Sequence, residues 1–149
     1  MTPLHFTAVT NEQDCRHCFA VMRELRPHLA DAATFAAQVQ RQIHDGYRLV
    51  AAGYADTAIG LIGYRIQENL MIGRFLFVDD LVVRSDYRGG AVGAQLLDFV
   101  RDEARARDCR QLVLDTGLGM ARAQRFYFRQ GMLTRSIGFY EDLDAGDAT

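Results

Sequence analysis

Apolar positions along this chain recur with period 2 in some stretches and period 3.6 in others, and the changes of period mark its elements. His5-Phe6-Thr7-Ala8-Val9 alternates as a first strand, and Thr10-Asn11 supplies a turn and a helix cap. A helix is predicted from about Asp14 to Arg26, where Pro27 stops it. A second runs from about Asp31 to Ile43, with Phe35, Val39 and Ile43 on one face, and Gly46 ends it. The β-rich runs 48–54 and 58–66, joined by the short polar break 55–57, predict an antiparallel hairpin. A second turn region at 68–73 leads into 74–78 and a strand that ends at Val83.

From Asp79 to Val83 the run ends in a polar turn, the turn opens into a glycine-rich bend, and from Val92 the spacing becomes helical. Val92, Leu96, Phe99 or Val100, and Ala104 mark the buried stripe of a helix reaching about Asp108, whose C-terminal dipole suits Arg105 and Arg107. Residues 111–116 are the next strand, parallel to the previous one across a helical crossover, and Gly117-Leu118-Gly119 breaks it. A short helix from about Ala121 to Gln130 ends at Gly131, 135–141 is a last strand, and the tail 144–149 is expected to fray. The order β-α-α-β-β-β-α-β-α-β describes an α/β protein, a central mixed sheet with helices on its faces, in one domain of residues 1–143.

Composition narrows the function classes. The 149 residues, 49% hydrophobic and 24% charged, are enough to close one full core. A net charge of −2 and a pI near 6.0 draw the molecule to neither nucleic acid nor an anionic membrane, so no such partner is expected. No apolar run has membrane-spanning length, and the N-terminus lacks the basic and apolar regions of a leader, so a cytoplasmic location is the expectation. Cys15, Cys18 and Cys109 are an odd set for a disulfide framework. A zinc site at Cys15-Arg16-His17-Cys18 would need two further ligands, which no second pair supplies, so no metal is expected and the stripe Cys15, Cys18, Phe19, Met22 reads as core.

The bend Arg88-Gly89-Gly90-Ala91-Val92-Gly93-Ala94 is built to hold an anion. Small residues let a ligand approach the main chain, and the first turn of the following helix offers unpaired N–H donors at the positive end of its dipole. A phosphate is held there without a cationic side chain. The stretch has neither the Gly-Lys-Ser/Thr ending of a P-loop nor the Gly-x-Gly-x-x-Gly of a dinucleotide site.

It does resemble motif A of the GNAT superfamily of N-acetyltransferases, Gln/Arg-x-x-Gly-x-Gly/Ala before an amphipathic helix, with Arg88 first, Gly93 last and Ala91 in place of the first motif glycine. Ala123-Gln124-Arg125-Phe126-Tyr127-Phe128-Arg129-Gln130-Gly131-Met132 resembles the same family's motif B, Ala-x-x-Phe-Tyr-x-x-x-Gly-Phe, with Met132 for the final Phe. Many members carry an Asn where Met120 stands. The resemblance covers most of the chain and implies the GNAT fold, acetyl-CoA as cosubstrate, a small-molecule amine acceptor and a homodimer.

It also implies roles. Arg88, Gly89, Gly90, Ala91, Val92, Gly93 and Ala94 would hold the pyrophosphate, and the backbone of Leu81, Val82 and Val83 the thioester carbonyl and pantetheine arm. Tyr127 would protonate the departing thiolate. Acyl transfer to an amine, cationic at neutral pH, also needs a base. Asp79 and Asp80 are the candidates on the strand, and Glu68 in the preceding loop is a third. Alternation puts neighbouring strand residues on opposite faces unless a bulge intervenes, so one of the pair at most is expected to reach the cleft. The stretch 78–89 resembles the polyamine acetyltransferases, where the first acid of the pair is the proposed base, and this favours Asp79.

Arg122, Arg125 and Arg129 fall near the expected coenzyme cleft, although their spacing equally suits a solvated helix face. Residues 21–29 and 125–131 resemble aminoalkylphosphonate acetyltransferases. A polyamine acceptor wants carboxylates about it, whereas a phosphonate or amino acid wants Arg or Lys as well; Arg65 and Arg74 leave this choice open. A protein acetyltransferase and a non-catalytic acyl-CoA sensor are the alternative classes, the sensor needing neither Tyr127 nor an acid on the strand.

Overall fold

Residues of period 2 pair in the order in which they are synthesised. The structure, a computed structural model, describes residues 3–144. Strands β1 (His5–Val9), β2 (Arg48–Tyr54), β3 (Thr57–Asn69), β4 (Gly73–Val83) and β5 (Gln111–Leu114) form one sheet ordered β1-β2-β3-β4-β5. The first four are antiparallel neighbours and β5 lies parallel to β4, so the sheet is mixed as expected. The chain divides after Asp115. Helices α1 (Glu12–Leu25), α2 (Ala32–His44) and α3 (Val92–Ala106) belong with the sheet, and α4 (Ala121–Arg129) to the C-terminal unit.

Both N-terminal helices start where a side chain replaces a missing backbone partner. Asn11 Oδ1 accepts from the Asp14 N–H at 2.8 Å, and Asp31 Oδ1 from that of Thr34 at 2.7 Å. Cys15, Cys18, Val21 and Met22 of α1 and Phe35, Ala36 and Val39 of α2 bury against Val9, Leu49, Leu61 and Val82 of the sheet. Two cysteines therefore serve as core residues, and burial pushes the Cys18 thiol to about 12. On the other face lies α3, with Phe6 stacked on Phe99 at 5.3 Å and the Tyr64 hydroxyl donating to Glu103 at 3.2 Å.

Strand β5 stops at Leu114, short of the expected 116, and two larger departures from the sequence pattern accompany it. Strand β3 extends to Asn69 because Gln67, Glu68 and Asn69 pair with Phe75, Arg74 and Gly73, although all three are exposed and show no apolar signal. The strand expected over 135–141 is not formed: among the described residues no strand follows α4. Its alternation is real, but a strand exists only with a paired edge. Of the tail expected to fray, 145–149 lies outside the described residues.

Candidate active site

Strand β4 delivers the anion-binding bend. After Val83 comes one 3-10 turn, Ser85–Tyr87, then Gly89 at φ +85°, a left-handed conformation that favours glycine, then α3. Ala91, the helix N-cap, has φ −91°, which alanine adopts without strain, and no side chain caps the helix. The first-turn donors of α3 therefore face outward from an exposed loop. The Arg88 side chain turns back: its Nε donates to the Val83 carbonyl at 2.9 Å, and its guanidinium lies 3.3 Å from Glu24. Glu24 also accepts from the Ser85 N–H at 3.0 Å, so α1 braces the loop through one carboxylate.

Toward this bend β4 outruns its parallel neighbour. Strand β5 pairs with β4 only from Phe75 to Val78, whereas β4 continues to Val83 along β3. Arg84 N–H donates to the Ile59 carbonyl at 2.7 Å, and antiparallel alternation then directs the N–H and C=O groups of Leu81 and Val83 away from β3, on the side where β5 has ended. The Val83 carbonyl is the one that Arg88 takes.

The two aspartates lie where β4 carries one residue too many. Gly63 pairs with Asp80 and Tyr64 with Val78, which leaves Asp79 as the extra residue of a β-bulge. The expectation that the pair faces opposite sides is corrected by this bulge, which brings both carboxylates into one cluster on the α1–α2 side. Asp80 Oδ1 accepts from Arg26 Nε at 3.0 Å and Oδ2 from the Tyr47 hydroxyl at 2.7 Å. Asp79 Oδ2 stands 3.3 Å from Arg65 Nε, and the Arg65 guanidinium covers the Tyr47 ring at 5.5 Å. That ion pair is not directed as a hydrogen bond, and among the described residues this buried oxygen has no hydrogen-bond partner.

The consequences for the two acids differ. Asp80 has a donor on each oxygen and 14% side-chain exposure, while Asp79 keeps 33% and can be reached from solvent. Burial raises the Asp79 carboxyl above its ordinary 3.8, with Arg65 pulling the other way. Burial and the neighbouring Asp80 together hold the Tyr47 phenol well above its ordinary range, so it remains a donor. Glu68 pairs with Arg74 and is exposed, five residues from Gly63 along β3, roughly 16 Å away, outside the cluster. Sequence reasoning missed Tyr47 and Arg26. Gly63 was the available signal, because glycine inside a strand marks a close approach, and a Cβ there would overlap the Tyr47 phenol.

In the C-terminal unit α4 presents Tyr127, with Phe126 edge-on to it at 5.3 Å. Desolvation raises the Tyr127 phenol above its ordinary 10.0. The Gln124 amide donates to the carbonyls of Gly117 and Leu118, both at 2.9 Å, which fixes the loop before the helix. Arg122, Arg125 and Arg129 are exposed. Among the described residues no group of three or more metal-ligating side chains occurs.

Residues 12–132 match the model of the acetyltransferase (GNAT) family, and the chain belongs to that family. It is 31% identical to the IAA acetyltransferase of Azospirillum brasilense over 108 residues, 72% of this chain but only 64% of that protein, less than two thirds of its length. It is 28% identical to the aminoalkylphosphonate N-acetyltransferase of Salmonella typhimurium over 137 residues, 88% of this chain and 86% of that one. Among solved structures, the aminoglycoside N-acetyltransferase AAC(6')-Iy in complex with CoA superposes with a TM-score of 0.78 at 20% identity, covering 95% of this chain and 97% of the other.

Proposed function

We propose that the protein transfers the acetyl group of acetyl-CoA to the primary amine of a small molecule by direct attack, with Asp79 as the base and Tyr127 as the acid. The observation that carries this reading is the bulge at Asp79. It sets a carboxylate with raised proton affinity, one oxygen of which has no hydrogen-bond partner among the described residues, on the strand whose backbone groups at Leu81 point away from β3 beyond the end of β5.

Each group then has one task. The backbone of residues 88–94 holds the pyrophosphate through N–H donors and the dipole of α3. Leu81, and Val83 through its N–H since Arg88 holds its carbonyl, offer main-chain groups to the acetyl carbonyl and the pantetheine arm, and the Leu81 N–H suits a developing oxyanion. An alkyl ammonium, with an ordinary value near 10.4, surrenders a proton to Asp79 directly or through water. The freed lone pair forms a C–N bond to the thioester carbon, the C–S bond breaks, and the thiolate takes the proton of the Tyr127 hydroxyl. A phenol raised by desolvation is fully protonated at neutral pH, as an acid must be.

The two carboxylates of the cluster are matched by two guanidiniums, Arg26 and Arg65. That balance suits an amine that also bears an anionic group better than a bare polyamine, in line with the similarity to an aminoalkylphosphonate N-acetyltransferase. The test is a thiol-release assay with acetyl-CoA against aminoalkylphosphonates, amino acids, polyamines and short peptides. Turnover greatest with a small amine carrying an anion is expected. Coenzyme binding without turnover on any amine would overturn the reading.

A further inference from the structure

The two guanidiniums at the β4 bulge are held in different ways. Arg26 belongs to the fold: its Nε donates to Asp80 Oδ1 at 3.0 Å and a second nitrogen to the Asp79 carbonyl at 2.9 Å. The other oxygen of Asp80 is closed by the Tyr47 hydroxyl. Arg65 is held more loosely. Its guanidinium lies over the Tyr47 ring at 5.5 Å and 3.3 Å from Asp79 Oδ2, a contact not directed as a hydrogen bond, and its side chain keeps 30% exposure. A guanidinium resting on an aromatic face keeps its N–H groups in one plane, as a fork that suits an oxyanion. Asp79 Oδ2 is buried, so the exposure of that side chain falls on its other atoms, and Oδ1 is the oxygen left to an ammonium.

We propose that Arg65 selects the acceptor by taking the anionic end of a small amine whose ammonium lies at Asp79. This rests on the reading of Asp79 as the base. Charge balance during proton transfer gives the reason. Before the reaction Arg65 faces an ionised carboxylate. When the ammonium N–H bond breaks, the proton forms an O–H bond on Asp79 and the electron pair stays on nitrogen. Asp79 is then neutral, and Arg65 has lost its counter-charge in a half-buried site. An oxyanion carried by the substrate supplies that counter-charge. Its attraction to Arg65 strengthens as the proton moves, so it lowers the barrier as well as aiding binding. A polyamine brings a second positive charge to the same place and is disfavoured. Because Arg65 and Asp79 touch, a short carbon chain between amine and anion reaches both.

Matched acceptors isolate the anion. β-Alanine against its carboxamide, and 2-aminoethylphosphonate against its dimethyl ester, keep the amine and differ in the charge. Each is titrated calorimetrically into the protein saturated with coenzyme A, and kcat/KM is measured with acetyl-CoA. The parent should bind at least one anion about tenfold or more tighter than its neutral partner, the range of a charge-assisted pair, with a larger ratio in kcat/KM. Arg65→Gln should bring the binding ratio to within about threefold. Arg65→Lys keeps the charge without the fork and should keep the direction of the preference. Circular dichroism and acetyl-CoA titration check that both variants fold. A parent that does not favour either anion, an Arg65→Gln variant with the parent's ratio, or an Arg65→Lys variant as indifferent as Arg65→Gln would overturn the inference. The ratio is read in binding, so the two readings fail separately. Selection that vanishes in Arg65→Gln, with turnover on no amine, would strike the catalytic reading and leave Arg65 as the anion site. Turnover without selection would strike Arg65 alone.

Discussion

Tyr47 donates its phenolic proton to Asp80 across β3 at 2.7 Å, and it does so because residue 63, over which the ring lies, is a glycine. Asp80 in turn holds Arg26, whose second nitrogen donates to the Asp79 carbonyl at 2.9 Å. One glycine thus allows the cluster that shapes the bulge. Gly63→Ala should destabilise the protein by about 1–3 kcal/mol, the usual effect of forcing an extra carbon into a packed site. Tyr47→Phe keeps the ring but removes the donor, and should cost about 1–2 kcal/mol. Denaturant midpoints measure both.

The two aspartates should separate cleanly on mutation. Asp79→Asn lowers kcat by about 100-fold or more, as expected on removal of a general base. Because burial raises the Asp79 carboxyl, its ionised form is the less favourable one in the folded state. Its stabilising contribution is complete below the ordinary 3.8 and lost as pH rises through the raised value. At neutral pH the Asn variant should therefore be no less stable than the parent. Asp80→Asn, which weakens the Arg26 and Tyr47 contacts, should lower the melting temperature as well as the rate.

Gly89→Val places a β-branched residue at φ +85°, in a left-handed conformation that costs about 1–2 kcal/mol. The bend should reshape, and calorimetric titration should show weaker acetyl-CoA binding. Unchanged affinity would detach the coenzyme from this loop.

Tyr127→Phe removes only a proton donor. The turnover number should fall about 100-fold while the coenzyme dissociation constant holds steady, a split that rapid-quench and equilibrium titration resolve together.

Much of this was legible in the chain before its fold. The cap at Asn11, the hairpin at 55–57 and the glycine bend before Val92 each rest on local chemistry. What escaped depends on pairing. No periodicity reveals that Gly63 and Tyr64 face three residues of β4, so the orientation of Asp79 and Asp80 and the presence of Tyr47 and Arg26 beside them emerged only with the register. The last strand expected over 135–141 does not form, because alternation alone cannot supply the paired edge a strand needs.

The most direct test of the base assignment is the pH dependence of kcat, at saturating acetyl-CoA and amine, for the parent protein and Asp79→Asn. The parent should lose activity as pH falls through a carboxyl raised above 3.8, because the base must be ionised to accept the ammonium proton. In the variant that limb should vanish from a rate already about 100-fold lower. An Asp79→Asn enzyme with the same acid limb and a kcat within about twofold of the parent would contradict the account.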